Sequence, residues 1–257
     1  MNEKIGQAAD LLARLRLRKD GAEPPIRELP EAVRPTDMDE AYAIQAALNA
    51  RLASALGPVR GWKIGLTSKV MQEYIGHPSP AAGALYERQI RTSPAKLVWA
   101  DYRRLGLECE IAVRLKSDLK AGDDPLAAVG DAMCSVEVVE ERFEDFKIAS
   151  FASMVADDFF TQGVVLGEGR PVGELPDLRA LRGGFHVDGA PPEAVGEGSA
   201  ILGHPMNALG WLAELWGVVP AGAVVSLGSV VKTIYPPAGT HVKAEFEELG
   251  AVELEIV

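Results

Sequence analysis

The amino-acid sequence predicts an α+β protein in which helices come first and a β-rich body follows. Helix-period apolar patterns fill most of the first 57 residues, and short alternating runs separated by Gly and Pro fill the rest. The strands do not alternate regularly with helices, which disfavours a doubly wound sheet. We therefore expect an N-terminal helical segment at residues 1–57 and a β-rich domain with the candidate site at residues 58–257, forming one integrated domain.

Three helices are indicated by periodicity and by their end signals. Residues 5–17 repeat apolar side chains at helical spacing, and residues 36–57 open with a Thr-Asp cap and close at Gly57. A late helix at residues 205–217 begins after Gly-His and ends at a glycine. The Pro-rich stretch at residues 21–36 predicts a loop between the first two helices.

Alternating apolar and polar residues predict the strands. The last stretch, residues 241–257, reads as a hairpin that turns at Leu249-Gly250. The remaining β-like runs lie at residues 96–103, 107–115, 135–142, 162–169, 183–189 and 223–235.

Composition excludes several function classes. A net charge of −11 over 257 residues disfavours nucleic-acid binding, because no basic stripe is available to neutralise phosphates. The N-terminus lacks the features of a secretory signal, and no apolar run approaches the ~20 residues needed to span a bilayer. The two cysteines, Cys109 and Cys134, are those of a reduced protein. We expect a cytoplasmic protein without nucleic-acid or membrane partners.

Familiar cofactor and nucleophile motifs are missing from the sequence. It contains no Gly-x-Gly-x-x-Gly, P-loop or Gly-x-Ser-x-Gly pattern, which disfavours dinucleotide, ATP and serine-hydrolase chemistry. No His or Cys cluster has the spacing of a zinc site. The remaining candidates for chemistry are carboxylates.

Two of these carboxylates share one face of a predicted strand. In "LECEIAVRL" the period of two places Glu108 and Glu110 together, opposite a face that includes Cys109. Adjacent acids on one face repel each other unless a cation or water intervenes. By itself the pattern is that of a half-exposed strand with a solvated acidic face, and the metal site stays open as the alternative.

A third acid lies in an apolar run. Glu137 in "CSVEVVEERF" is flanked by valines, where an unpaired carboxylate is costly to bury. Such a group pairs with Arg, becomes protonated or coordinates a metal. Together with Glu108 and Glu110 it would supply the hard oxygen ligands that Mg²⁺ or Mn²⁺ prefers.

An ordered set of motifs resembles a known family. From residue 38 onward, "GWKIGLTSKVMQ", "LECEIAV", "VEVVEERFEDF" and "GHPMNALGWLAELW" resemble the 2-keto-4-pentenoate hydratase / 4-oxalocrotonate decarboxylase branch of the fumarylacetoacetate hydrolase superfamily. The resemblance implies a mixed, rolled β-sheet body of the fumarylacetoacetate hydrolase C-terminal type and assembly into homo-oligomers. It also implies that Glu108, Glu110 and Glu137 bind Mg²⁺ or Mn²⁺.

The resemblance assigns further roles to residues of this chain. It implies catalytic functions for Lys63 and Asp157 and substrate contacts at Arg142, Leu66 and Ser229. The implied substrate is a small 2-oxo acid, whose carboxylate and keto oxygen can chelate the metal while the neighbouring carbon gains or loses a proton. Lys63 would carry that proton.

Several departures from the family pattern leave the final step open. Ala81 stands where an acid is expected, Ala156 interrupts a Ser-Asp-Asn run, and Val231 replaces a hydroxyl residue, while Phe159 and Phe160 would make a pocket more apolar. The leading hypothesis is a hydratase that acts on a 2-hydroxydienoate. The alternatives are a decarboxylase or acylpyruvate C–C hydrolase that uses the same enolate, or a catalytically altered subunit in complex with a related decarboxylase or hydratase.

Overall fold

The computed structural model describes residues 3–18, 25–145 and 148–257. Of the predicted loop at residues 21–36, positions 21–24 lie outside this range. Within the described residues the chain forms six α-helices: α1 (Glu3–Leu17), α2 (Met38–Leu56), α3 (Lys69–Ile75), α4 (Pro125–Ala128), α5 (Phe151–Ala156) and α6 (Pro205–Trp216).

Fifteen strands are found in the same part of the chain. The first seven are β1 (Val59–Gly65), β2 (Ala81–Tyr86), β3 (Ile90–Thr92), β4 (Ala95–Leu97), β5 (Leu105–Leu115), β6 (Leu119–Lys120) and β7 (Val129–Glu140). The others are β8 (Thr161–Leu166), β9 (Arg170–Pro171), β10 (Arg182–Val187), β11 (Val195–Glu197), β12 (Val218–Val219), β13 (Val224–Ser229), β14 (His241–Phe246) and β15 (Gly250–Ile256).

The strands form one large mixed sheet and one smaller sheet. The large sheet has the order β2-β1-β13-β5-β7-β8-β3, with β9 beside β7. In it β1 runs parallel to β13 and β3 parallel to β8, whereas the long central pair β5 and β7 is antiparallel. The smaller sheet has the order β11-β10-β14-β15-β4, and β12 pairs with β6. The predicted α+β class with a mixed sheet is confirmed.

One face of the large sheet forms the main core against the smaller sheet and α6. Side chains alternate along β5 and β7, so that every second residue enters this apolar layer. Its central members are all buried: Leu107, Cys109, Ile111, Val113, Leu115, Cys134, Val136 and Val138. The opposite face therefore carries Glu108 and Glu110 of β5 and Glu137 of β7.

The helical segment packs against that opposite face. Leu12 of α1 and Leu48 of α2 share a second buried cluster with Val155 of α5. The side-chain amide of Gln45 donates to the carbonyls of Ala82 and Val155, at 2.8 and 2.7 Å. These contacts cover the edge strand β2, whose outer carbonyls would otherwise be unpaired. The division of the chain at residue 57 stays a prediction.

Helix ends follow the sequence signals. The Asp37 side chain accepts a hydrogen bond from the Glu40 amide at the start of α2, which ends at Gly57 with φ +83°. His204 caps α6 through Nδ1, which accepts from the Met206 amide at 3.0 Å.

Two predicted strands are shorter than the pattern indicated. Of residues 96–103, only the beginning belongs to a strand, because the chain turns into a 3₁₀ turn at Trp99–Asp101. The run at residues 223–235 leaves the sheet after Ser229, shortly past a shift in the register of β13 against β5 between Ser226 and Ser229. Periodicity also missed α5, whose six residues are too few to display a helical repeat.

Candidate metal centre

Neighbouring strands bring three glutamates together. Glu108 of β5 lies directly opposite Glu137 of β7 in the antiparallel register, and Glu110 follows two residues later on the same face. Each carboxylate offers one oxygen such that the three oxygens lie within 4.8 Å of one another. The predicted ligand set therefore converges at one point of the sheet.

Burial decides between the two interpretations of the acidic strand face. Glu110 and Glu137 are completely buried, and Glu108 is half-buried. A solvated strand face would leave all three exposed. Two carboxylates so close together in a buried site require protons or a cation.

The electrostatics point to the same requirement. Burial raises the pKa of Glu110 well above its usual value, and the neighbouring charges of Glu137 and Glu108 raise it further. Burial also raises the pKa of Glu137 to about 7, although Lys63 opposes that shift. One oxygen of Glu110, Oε1, is buried without a hydrogen-bond partner among the described residues. A hard divalent cation fits this oxygen-only donor set.

Hydrogen bonds from the end of β13 and the segment after it orient two of the predicted ligand carboxylates. The Ser226 hydroxyl and the Gly228 amide both donate to Oε2 of Glu110, the latter at 3.2 Å. Thr233 Oγ1 donates to Oε1 of Glu108 at 2.6 Å. These contacts occupy Oε2 of Glu110 and Oε1 of Glu108, and they leave Oε1 of Glu110 available. Hydrogen bonds of this kind typically hold the ligands of a metal in place.

Replacing Thr233 by Val should weaken metal binding without preventing it. The substitution keeps the side-chain shape but removes the hydroxyl that orients Glu108. Loss of such a supporting contact typically costs about 10–100-fold in metal affinity. Calorimetric titration with Mn²⁺ measures the change, and Thr240→Val, which removes a hydroxyl bonded to the Pro237 carbonyl, is the matched control. Equal affinity in both variants would contradict a supporting role for Thr233.

Lys63 faces the acidic cluster from β1, two strands away from β5. Its Nζ lies 3.1 Å from a carboxylate oxygen of Glu137, and its side chain is 2% exposed. Nζ also lies 4.7 Å from the centroid of the Phe159 ring. The structure thus joins the predicted catalytic lysine directly to a predicted metal ligand.

Asp157 and Arg142 form a buried pair. The Arg142 guanidinium donates to an Asp157 carboxylate oxygen at 2.6 Å and to the Asp157 carbonyl at 3.2 Å, and it also pairs with Glu140. Burial raises the pKa of Asp157, against the opposing charge of Arg142. Asp157 ends α5 next to the turn that contains Phe159. The roles predicted for Asp157 in catalysis and for Arg142 in substrate binding stay predictions.

Leu66 follows β1, and Ser229 is the last residue of β13. Leu66 directly follows β1 with φ +60°, and its carbonyl accepts a hydrogen bond from Nε2 of the Gln72 side chain. Ser229 stands opposite Glu110 in the register, and its hydroxyl donates to the Val231 carbonyl at 2.7 Å. Substrate contacts at these two positions stay predictions.

Two of the departures from the family pattern lie in buried surroundings. Ala81 is completely buried and pairs with Gly65, two residues beyond Lys63 on β1. Because Lys63 pairs with Gly83, Ala81 occupies the same sheet face as the lysine. Ala156 is also completely buried, in α5. An acid at position 81 would lie on the sheet face of the site, and this chain has a methyl group there.

Sequence reasoning missed the two hydroxyls that orient the ligands. Ser226 lies in the apolar run "AVVSLGS", where a buried hydroxyl needs a partner, and this was an available signal. Thr233 lies outside any strand and reaches Glu108 only because the backbone at Ile234 forms an isolated bridge with Leu107. No sequence pattern indicates that contact.

Metal removal should destabilise the protein, and more strongly at neutral than at acidic pH. A buried carboxyl whose pKa is raised binds its proton more tightly in the folded state, so the metal-free protein loses stability as the pH rises above about 4.5 and through about 7, the pKa of Glu137. A bound cation compensates the charge that appears. At 100 times Kd it also adds about 2.7 kcal/mol of stability.

Thermal unfolding with Mg²⁺ and with EDTA, at pH 5 and at pH 7.5, measures this difference. We expect Mg²⁺ to raise the Tm by several degrees at pH 7.5, given about 2–4 °C per kcal/mol for a chain of this size. The increase should shrink at pH 5. A larger increase at pH 5 than at pH 7.5 would contradict the assignment of the buried acids.

Comparisons with known proteins agree with this geometry. No protein-family model matches the chain. The 2-keto-4-pentenoate hydratase of Paraburkholderia phymatum is 33% identical over 235 residues, which cover 88% of this chain and 89% of the relative. The 4-oxalocrotonate decarboxylase of Pseudomonas putida is 28% identical over 226 residues, covering 85% of each protein. A solved 4-oxalocrotonate decarboxylase from Pseudomonas putida G7, complexed with magnesium and adipate, has a TM-score of 0.90 at 24% identity and covers 100% of this chain and 98% of that one.

The fold and the carboxylate site together indicate the class of protein. A mixed sheet with three converging glutamates and an adjacent lysine is the architecture that the resemblance to the fumarylacetoacetate hydrolase superfamily implied. The chain belongs to the family of the 2-keto-4-pentenoate hydratases, and it shares its fold with the solved 4-oxalocrotonate decarboxylase. The prediction that it is an enzyme of the hydratase type is confirmed by relatives of that name along most of its length. No helix in the described ranges is long and apolar enough to cross a membrane.

Proposed function

We propose that this protein is a divalent-metal-dependent hydratase that adds water to a small 2-hydroxydienoate, the enol form of a 2-oxo acid. The observation that carries the proposal is the contact between Lys63 and Glu137, at the edge of a three-carboxylate cluster in which Glu110 and Glu137 are buried. It joins a metal site to a group that can move a proton. Both are needed for chemistry at the carbon beside a keto group.

Glu108, Glu110 and Glu137 are the proposed ligands of Mg²⁺ or Mn²⁺. When bound, the cation supplies the electrostatic stabilisation that an enolate oxygen requires. The magnesium in the solved decarboxylase of this branch supports the choice of a hard divalent cation. The buried, unpaired Oε1 of Glu110 is the feature of this chain that best fits such a ligand role.

Lys63 is the proposed proton carrier. Its Nζ is held between the Glu137 carboxylate and the face of the Phe159 ring, at 3.1 and 4.7 Å. This confinement allows few positions of the amine, and fixed geometry is a large part of what an enzyme contributes to proton transfer. The aromatic cover also keeps bulk water away from Nζ.

Decarboxylation through the same enolate is the second candidate, and one observation favours it. Ala81 places a methyl group on the sheet face of Lys63, at the position where the family pattern has an acid. Without that acid the site has one polar group fewer to position a water molecule. The decarboxylase relative shows that this reaction occurs in the same branch.

A paired assay separates the two reactions. The pure protein is loaded with Mg²⁺ and given 2-hydroxypenta-2,4-dienoate in one arm and 4-oxalocrotonate in the other. Loss of dienol absorbance with formation of a hydroxylated 2-oxo acid in the first arm supports the hydratase. Release of CO₂ in the second arm without hydration in the first would replace it with the decarboxylase, and inactivity in both arms despite metal binding would favour an altered partner subunit.

Assembly and location belong to the proposal as well. We infer a homo-oligomer in the cytoplasm, with a related decarboxylase or hydratase as the alternative partner, as the family resemblance implied. Light scattering on the pure protein, alone and mixed with such a partner, measures the assembly. A monomer in both samples would contradict it.

A further inference from the structure

We propose that Arg16 and Asp158 are positioning residues that hold a strained turn, residues 158–160, so that Phe159 lies against Lys63. The inference rests on the role proposed above for Lys63. It makes the N-terminal helix α1 part of the active-site machinery, although α1 supplies none of the predicted ligands or catalytic groups.

The turn has an unusual backbone. Asp158, Phe159 and Phe160 have φ values of +52°, +46° and +70°, so three successive non-glycine residues adopt the left-handed conformation. L-residues visit this region rarely, and bulky ones more rarely still. Each such residue is strained and persists only where the surroundings determine its conformation, which is commonly at a functional site.

A buried ion pair fixes the conformation of this turn. The Arg16 guanidinium of α1 pairs with Oδ2 of Asp158, and both side chains are completely buried. The other oxygen of Asp158 accepts from the Ala84 amide at 3.0 Å, and the Tyr86 hydroxyl donates to Oδ2 at 3.2 Å. Asp158 is therefore held from the helix on one side and from the edge strand β2 on the other.

Two glycines let the turn approach the sheet closely. A Cβ at Gly83 would lie 2.1 Å from the backbone oxygen of Asp158, and a Cβ at Gly65 would lie 2.5 Å from the Phe159 ring. Real side chains cannot occupy such positions. The strands that carry and flank Lys63 are therefore shaped to accept this turn, which a merely tolerated irregularity would not require.

The turn affects Lys63 through the position of Phe159. Phe159 places its ring 4.7 Å from Nζ and packs edge-on against Phe151 at 5.9 Å, so that an aromatic ring covers the amine that also contacts Glu137. If the turn relaxed, the Phe159 ring would move away, and Nζ of Lys63 would become more exposed to solvent and more mobile. Arg16 thus acts on Lys63 through Asp158 and Phe159, without touching the lysine.

Three variants test the inference on the full chain. Arg16→Met removes the charge but keeps much of the apolar stem, and Arg16→Lys restores a cation at the same place. Asp10→Asn is the matched control, because the Asp10–Arg51 pair ties α1 to α2 away from the turn. For each protein we would measure kcat and KM with 2-hydroxypenta-2,4-dienoate, Mn²⁺ affinity by calorimetry, and the rate of Lys63 acetylation by mass spectrometry.

We expect the Arg16 variants to change the catalytic rate but not the binding of substrate or metal. Arg16→Met should lower kcat by about 10–100-fold, as expected for a displaced catalytic group, while KM and Mn²⁺ affinity change little. Acetylation of Lys63 should become severalfold faster because Phe159 no longer shields it. Arg16→Lys should recover part of both effects, and Asp10→Asn should match the wild type.

Removal of one member of a buried ion pair leaves an uncompensated charge and can prevent folding. The double variant Arg16→Met/Asp158→Asn removes both charges, and it replaces Arg16→Met if that variant does not fold. Wild-type rates of Lys63 acetylation in a folded variant that lacks the pair would overturn the inference. If the wild type turns over neither substrate but acetylation still increases in the variant, the positioning inference stands and the proposed reaction fails.

Discussion

Replacing Glu110 by Gln should eliminate divalent-metal binding while leaving the metal-free protein as stable as the wild type. Burial and the neighbouring acids raise the pKa of Glu110 well above its usual range, which favours the neutral carboxyl when no metal is bound. A neutral amide of the same shape therefore replaces it at little cost. The metal-loaded state, in contrast, needs the carboxylate charge and the oxygen that otherwise has no partner.

Mn²⁺ titration followed by calorimetry measures the loss. Changes in supporting residues alone cost about 10–100-fold in affinity, so loss of a direct ligand should exceed 100-fold, or about 2.8 kcal/mol. Glu253→Gln, an exposed acid on β15, is the control and should bind as the wild type does. Undiminished affinity in Glu110→Gln would remove this residue from the metal site.

Glu137→Gln makes an informative contrast. Glu137 pairs with the buried Lys63, so its replacement removes a proposed metal ligand and also leaves the lysine without its carboxylate. We expect this variant to lose metal binding and, unlike Glu110→Gln, to lower the Tm of the metal-free protein. An equal Tm for the two metal-free variants would indicate that the ion pair contributes no stability.

The sequence was sufficient for the features that depend on local periodicity. The period of two along β5 separated Leu107, Cys109 and Ile111 from Glu108 and Glu110, and this alternation is the one observed. Capping residues likewise predicted the ends of α2, and the hairpin at the C-terminus formed as expected. These features follow from interactions between residues that are close in the chain.

The convergence of Glu137 with Glu108 depends on strand pairing, which no local pattern determines. A shift of one residue between β5 and β7 would send Glu137 to the apolar face. Its position in a valine run was a signal that this acid is buried and requires a partner. The ligand set of Glu108, Glu110 and Glu137 was predicted from the family resemblance and not from the spacing. The strand register, which pairs Glu108 with Glu137, agrees with this set.

The contacts that complete the site were beyond the reach of sequence reasoning. Thr233 reaches Glu108 across 125 positions of the chain, and Arg16 reaches Asp158 across 142. Both depend on how segments without regular structure, or helices packed from outside, meet the sheet. The left-handed turn has no glycine to mark it, so its conformation emerges only from its surroundings.

Replacing Lys63 by Met should abolish turnover while preserving the metal site. A positioned proton carrier contributes about 10²–10⁴-fold to rate, and kcat should fall by that factor. Met keeps the length of the apolar stem but carries no proton, so the packing against Phe159 is retained. Because an ammonium 3.1 Å from Glu137 repels an incoming cation, its loss should leave Mn²⁺ affinity equal to or higher than that of the wild type.

The combination of outcomes is what identifies the role of Lys63. Steady-state kinetics with Mg²⁺ and calorimetry with Mn²⁺ are compared with those of Lys96→Met, whose lysine is exposed and pairs with Glu255 on the smaller sheet. A kcat within tenfold of wild type would exclude Lys63 as the proton carrier and transfer that role to another group at the site. A loss of metal affinity together with kcat would make the lysine a support for Glu137, because a proton carrier is needed only after the cation and the substrate have bound.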